Sequence, residues 1–280
     1  MNFLFPLIAS IMQASSFTID KLVLSAKKIT HKQYLGISFP AIAILTLIIF
    51  LIFQPPLDFS LFQGKYFLLI LLAIALSMAS NLIFYNALKH DFLSEIQSIE
   101  LMRDLPLIIF AALIFPDERN YLRIILALIA GISIIWSHWE KKGFKIAKRT
   151  LPLLLWNLVA NPFRGIISKY LLETWNPISF QLIINGSIGI IFFFLFFKNI
   201  KKTPKKAISY LMLTNFLTTI AWILYFFSFK QSGIIYTVLI FSLQPLLVYL
   251  AGIILYKEKI EAKKLASFAI ILAAIILAQI

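Results

Sequence analysis

The sequence predicts an all-α, polytopic membrane protein with ten transmembrane helices, arranged as two inverted five-helix repeats. Three observations lead there. Of the 280 residues, 61% are hydrophobic and only 14% charged, with a mean hydropathy of +0.91; a soluble domain is about 45–50% apolar and about 25% charged. The apolar residues fall in unbroken runs close to the roughly 20 that a helix needs to cross a bilayer, whereas a membrane barrel would show alternating segments of about ten. The pattern of one half also recurs in the other. Disordered, collagen-like, disulfide-bonded and soluble catalytic chains are excluded. Cysteine is absent, so thiolate metal sites and Cys nucleophiles are excluded too.

Ten stretches are predicted, at residues 3–24, 34–53, 66–88, 92–115, 121–138, 151–172, 178–197, 207–229, 234–256 and 265–280. The N-terminus begins Met-Asn-Phe without a basic leader, and the first stretch reads as a retained helix. The connections carry turn and helix-end chemistry: Gln54-Pro55-Pro56, Phe115-Pro116-Asp117, Asn176-Pro177 and Lys202-Thr203-Pro204.

The formal charge of +14 is a membrane signal rather than a nucleic-acid one, because nearly all of it lies in short loops beside apolar spans. Loops after odd-numbered stretches hold 19 of the 26 Lys and Arg, those after even-numbered stretches 5. The positive-inside rule then places the odd loops in the cytoplasm and both termini outside.

Phe84-Tyr85-Asn86-Ala87-Leu88-Lys89 has its counterpart in Leu224-Tyr225-Phe226-Phe227-Ser228-Phe229-Lys230, about 140 residues later. Asp104-Leu105-Pro106-Leu107 is matched by Gln244-Pro245-Leu246-Leu247, and Phe115-Pro116-Asp117-Glu118-Arg119 by Leu255-Tyr256-Lys257-Glu258-Lys259. The chain therefore divides into units 1–140 and 141–280. Five spans per unit force the second to insert upside down, which is the organisation of many secondary carriers.

The order Tyr85…Ala87-Leu88-Lys89, an intramembrane Pro106, Glu118 after the helix end and a small-residue last helix resembles the EamA family of the drug/metabolite transporter superfamily, with one EamA-like repeat per half. The resemblance implies a secondary transporter in the cell membrane, often an exporter or exchanger. Its solute would be a small metabolite such as an amino acid, nucleoside or sugar derivative, moved by alternating access around a central cavity. The chain departs from the family in one respect: its basic residues lie between the first two stretches, and the next loop has only Lys65.

Charged side chains inside the fourth stretch are costly, at least about 2.5–3.5 kcal/mol each on insertion scales. At about 100° per residue, Gln97, Glu100, Arg103 and Asp104 share an arc of about 120°. They either line the solute path or form an ion-pair cluster between helices. Glu100 and Asp104 are the intramembrane groups the sequence offers for a coupling proton. Pro106 and Pro245 interrupt the backbone ladder and read as a hinge or as inert kinks. The first and sixth stretches are polar for membrane spans. The first carries Gln13, Ser15, Ser16, Thr18, Asp20 and Lys21; from the sixth, Asn157, Asn161 and Arg164 are the solute-contact candidates. Asn81 and Tyr85, with Trp222, Tyr225 and Gln244 at equivalent places, complete the set. No cofactor, metal or catalytic residue is expected. No P-loop or catalytic motif is present, and Asp117-Glu118 is the one loose candidate for an alternative intramembrane lipid enzyme. A non-transporting scaffold or channel is the other alternative. The expected partners are a small solute and the surrounding lipid.

Overall fold

Helix ends follow from local chemistry. In the computed structural model, which describes residues 3–26, 29–90, 96, 99–100, 102–137, 150–200, 203–257 and 260–279, α1 spans Leu4–Ala26 and α2 spans His31–Phe53. A capping box starts α2: Thr30 Oγ1 accepts the Gln33 amide at 3.1 Å, and Gln33 Oε1 accepts the Thr30 amide at 2.7 Å. Gln54 ends it in the left-handed region, before a Pro-Pro pair that cannot continue the helix. In the loop between α2 and α3, hydrogen bonds from Ser60 hold the Asp58 carboxyl below its ordinary value. Next come α3 (Gly64–His90), α4 (Asp104–Ile114), α5 (Tyr121–Ser137), α6 (Leu151–Val159), α7 (Asn161–Thr174) and α8 (Pro177–Ile200). The chain finishes with α9 (Lys205–Ser232), α10 (Ile234–Phe241), α11 (Gln244–Tyr256) and α12 (Ala262–Leu277).

Taken with α6–α7 and α10–α11 as interrupted pairs, these helices fall one to each of the ten predicted stretches, the fourth being described mainly in its second half, and the described residues contain no strand. Among the described residues, six segments are each long and apolar enough to cross a membrane alone. The boundary at 140/141 lies outside the described residues.

The prolines act differently from a mid-helix kink. The fourth span turns at Met102–Arg103, and Pro106 falls in the first turn of α4. Pro245 is the second residue of α11, just after the turn at Ser242–Leu243. In a first turn the missing N–H is one that has no helical partner anyway. The breaks therefore precede the prolines. A third break, at Ala160 before Pro162 in the sixth span, was not anticipated.

The protein is polar inside and apolar outside. Ser10, Asp20, Thr46, Asn157, Ser179, Thr214 and Thr237 are fully buried, while Leu51, Ile52, Phe53, Phe194 and Ile254 face outward. A lipid solvent makes that distribution stable, since an apolar surface needs no covering there. The second span lies along the seventh, α1 along α9, and α5 against α12, where Ser133 and Ser267 hydroxyls meet at 3.0 Å. Two glycines let α2 and α8 approach. A Cβ on Gly189 would stand 2.8 Å from the Phe39 carbonyl oxygen, and one on Gly36 would stand 2.9 Å from Phe196 Cβ.

Candidate functional site

The breaks in the fourth and sixth spans place side chains at the wall of a cavity of about 100 Å³ between the helices. At roughly 10–15 Å³ per water centre, that admits several waters or a small polar group. Asn81, Tyr85, Glu100, Arg103, Asn161, Arg164 and Trp222 of the predicted set line it.

Arg103 is committed to neighbours. Its Nη1 lies 3.0 Å from Glu100 Oε2 and its Nε 3.3 Å from Asp104 Oδ1. The other Glu100 oxygen accepts Asn157 Nδ2 at 3.0 Å, and Asn161 Nδ2 donates to Asn157 Oδ1 at 2.8 Å. Asn161 Oδ1 accepts Ser80 at 3.5 Å, and Ser80 accepts the Trp156 indole N–H at 2.7 Å. One polar chain thus ties spans three, four and six together. Asn157 and Asp104 belong to that chain and stand behind the cavity wall rather than in it.

Arg164 is different. Its guanidinium sits 5.9 Å over the Trp222 ring, a cation–π arrangement. Among the described residues it has no carboxylate partner. It is half-buried and faces the cavity.

Tyr225 packs behind Trp222, against Phe229 and Phe241 at centroid distances of 4.5 and 4.7 Å. Its departure from the wall comes from α10, whose Phe241 covers it. Gln244 is buried at the start of α11, away from the cavity. There the turn at Ser242–Leu243 resets the rotation of α11 and takes Gln244 with it. Gln97 lies outside the described residues.

Among the polar wall positions, Gln181 and Asn185 on α8, Thr218 on α9, Ser77 and Ser80 on α3 and Ser168 on α7 escaped the sequence reading. Gln181 and Asn185 hydrogen-bond to each other. Two amides four residues apart inside an apolar run were the signal that could have found them. Gln13 also lines the cavity, and its Oε1 is buried without a partner.

Asp117 and Glu118 are used structurally. Glu118 Oε1 accepts the Ile234 amide at 2.5 Å and Oε2 the Ile235 amide at 3.1 Å, capping α10. Lys169 Nζ lies 3.0 Å from Asp117 and 3.4 Å from Glu118.

An all-α bundle with apolar faces outward and a polar cavity within is an integral, multi-pass membrane protein. The profile of the EamA-like transporter family matches residues 153–279, so the second half of the chain is similar to that family. Its members are transporters of small solutes, not enzymes. No curated protein matches the chain. One solved crystal structure, described only as that of a protein, superposes with a TM-score of 0.67 at 12% identity, covering 98% of this chain and 96% of its own. That likeness is one of fold.

Proposed function

We propose that the protein is a secondary carrier that moves a small solute bearing an anionic group, such as a carboxylate or phosphate, by alternating access around the cavity, with Arg164 as its docking point. The observation that carries the reading is the Arg164 guanidinium, in the cavity wall and without a carboxylate partner, beside an Arg103 that has two. The cluster Glu100, Arg103, Asp104 and Arg164 sums to zero, so recognition is local rather than a property of the cavity's field. Gln13 Oε1, buried and unpartnered, is the acceptor for a donor elsewhere on the solute. Trp222, Phe226 and Phe180 supply an apolar wall for its carbon frame.

The packing supports two opposed five-span units. The second span lies on the seventh and the fifth on the tenth, each on its own repeat counterpart. Rocking of one unit against the other is the motion such a pairing permits.

A thermal-stability screen of the purified protein tests the reading, using acetate, benzoate, succinate and inorganic phosphate against glucose and adenosine. Stabilisation by one or more anions and its loss in Arg164→Gln are expected. Stabilisation confined to the neutral solutes, or unchanged in Arg164→Gln, would overturn it.

A further inference from the structure

The sequence offered Glu100 and Asp104 for a coupling proton, but both face Arg103. A third acid does not face a cation. Asp20, near the end of α1, is fully buried, and no Lys, Arg or His among the described residues lies within salt-bridge distance. Hydroxyls surround it from three other helices. Tyr34 of α2 and Thr214 of α9 each donate to Oδ1 at 2.6 Å. Tyr85 of α3 reaches Oδ2 at 3.5 Å.

The two oxygens are therefore unequal. Oδ1 is doubly served, and Oδ2 has one long contact. A proton added at Oδ2 turns that contact around: the new O–H donates to Tyr85 Oη, and the two bonds to Oδ1 remain. Only one O–H bond forms, and no heavy atom has to move.

Two routes lead from this carboxyl to the cavity. Tyr85 is itself a wall residue, stacked on Tyr34 at 4.3 Å between ring centroids. On the other side, Thr218 of the wall meets Ser16 Oγ at 2.5 Å, and Ser16 Oγ meets Thr214 Oγ1 at 2.6 Å. With the carboxyl ionised, Thr218, Ser16 and Thr214 can each donate to the next, ending on Oδ1. Other charged groups nearby are engaged elsewhere: Lys21 Nζ donates to the Leu88 carbonyl at 2.7 Å and Lys89 Nζ to that of Ile29 at 3.0 Å. Glu100 and Arg103 pair with each other in the cavity wall.

We infer that Asp20 is a reversible proton-binding site wired to the cavity through Tyr85 and through Thr218, Ser16 and Thr214. For its role, though not for its existence, this rests on the carrier reading. A buried net charge is costly in a membrane. Ionised Asp20 brings the buried set to −1, and an anion docked at Arg164 would add another. A proton on Asp20 offsets that charge, so anion and proton favour each other's binding and travel together.

Infrared difference spectroscopy of the purified full-length protein in lipid, between acid and alkaline buffer, uses the proton as its only probe. A protonated-carboxyl band is expected that shifts promptly in D₂O, persists in Glu100→Gln and is missing in Asp20→Asn, whose amide can keep the same contacts. A band unchanged in Asp20→Asn, or none in the wild type, overturns the assignment. Should Asp20→Asn fail to fold, Thr214→Val serves. Losing one hydrogen bond to a charged group is worth about 1.5–3 kcal/mol, so the band's midpoint should move by about one pH unit or more; an unmoved midpoint overturns the site. No solute enters this experiment. A band lost in Asp20→Asn therefore supports the proton site even where every anion of the stability screen fails.

Discussion

Replacing Glu118 by Ala removes three things at once. The amides of Ile234 and Ile235 lose the carboxylate that caps α10, and Lys169, 6% exposed, loses one of its two acids. An N-cap is worth about 0.5–2 kcal/mol, and stranding the partner of a buried ion pair costs about 3–5 kcal/mol. Asp117 still holds Lys169 at 3.0 Å, so the second figure is not reached in full. The expected loss is about 3 kcal/mol. Asp117→Ala is the control. That side chain is 63% exposed, and an exposed pair contributes about 0–1 kcal/mol. Chemical denaturation in a fixed detergent–lipid micelle, followed by tryptophan fluorescence, compares the two. Equal losses in both variants would refute the reasoning, since the cap and the burial of Glu118 would then contribute nothing.

Two further outcomes are expected. A Glu100→Leu, Arg103→Leu double variant should lose about 3–5 kcal/mol because Asp104 is left buried without its cation. Adding Asp104→Asn should recover most of that loss in the same denaturation assay, and a double variant as stable as the triple would show that the Arg103–Asp104 contact does not matter. C-terminal reporter fusions check the orientation drawn from the loop charges: a phosphatase fusion should be active and a fluorescent one dark, and the reverse pattern places the C-terminus in the cytoplasm.

Hydropathy is a local property summed over one segment, and so are the caps, which is why the spans could be placed from the sequence. Thr30 with Gln33, and Gln54 before Pro55-Pro56, mark the ends of α2 with residues that act within a few positions of themselves. Arg103 beside Glu100 and Asp104 was legible for the same reason, the partners being at most three residues apart. Arg164 could be named as an intramembrane cation, but whether a distant acid would neutralise it could not. In the sequence Asp20 is one polar residue among several in the second half of the first stretch. Only the packing of α2, α3 and α9 around it surrounds it with hydroxyls and leaves it without a cation. The turns at Met102–Arg103, Ala160 and Ser242–Leu243 belong to the same class. Each resets the rotation of the helix after it, and Asp104 and Gln244, first residues beyond two of these turns, stand outside the cavity wall. By itself the sequence determined which segments enter the membrane, because transfer into lipid depends on each segment's own side chains. The tertiary structure alone decided which polar groups face one another inside, because a buried charge is settled by neighbours that the chain brings from far away.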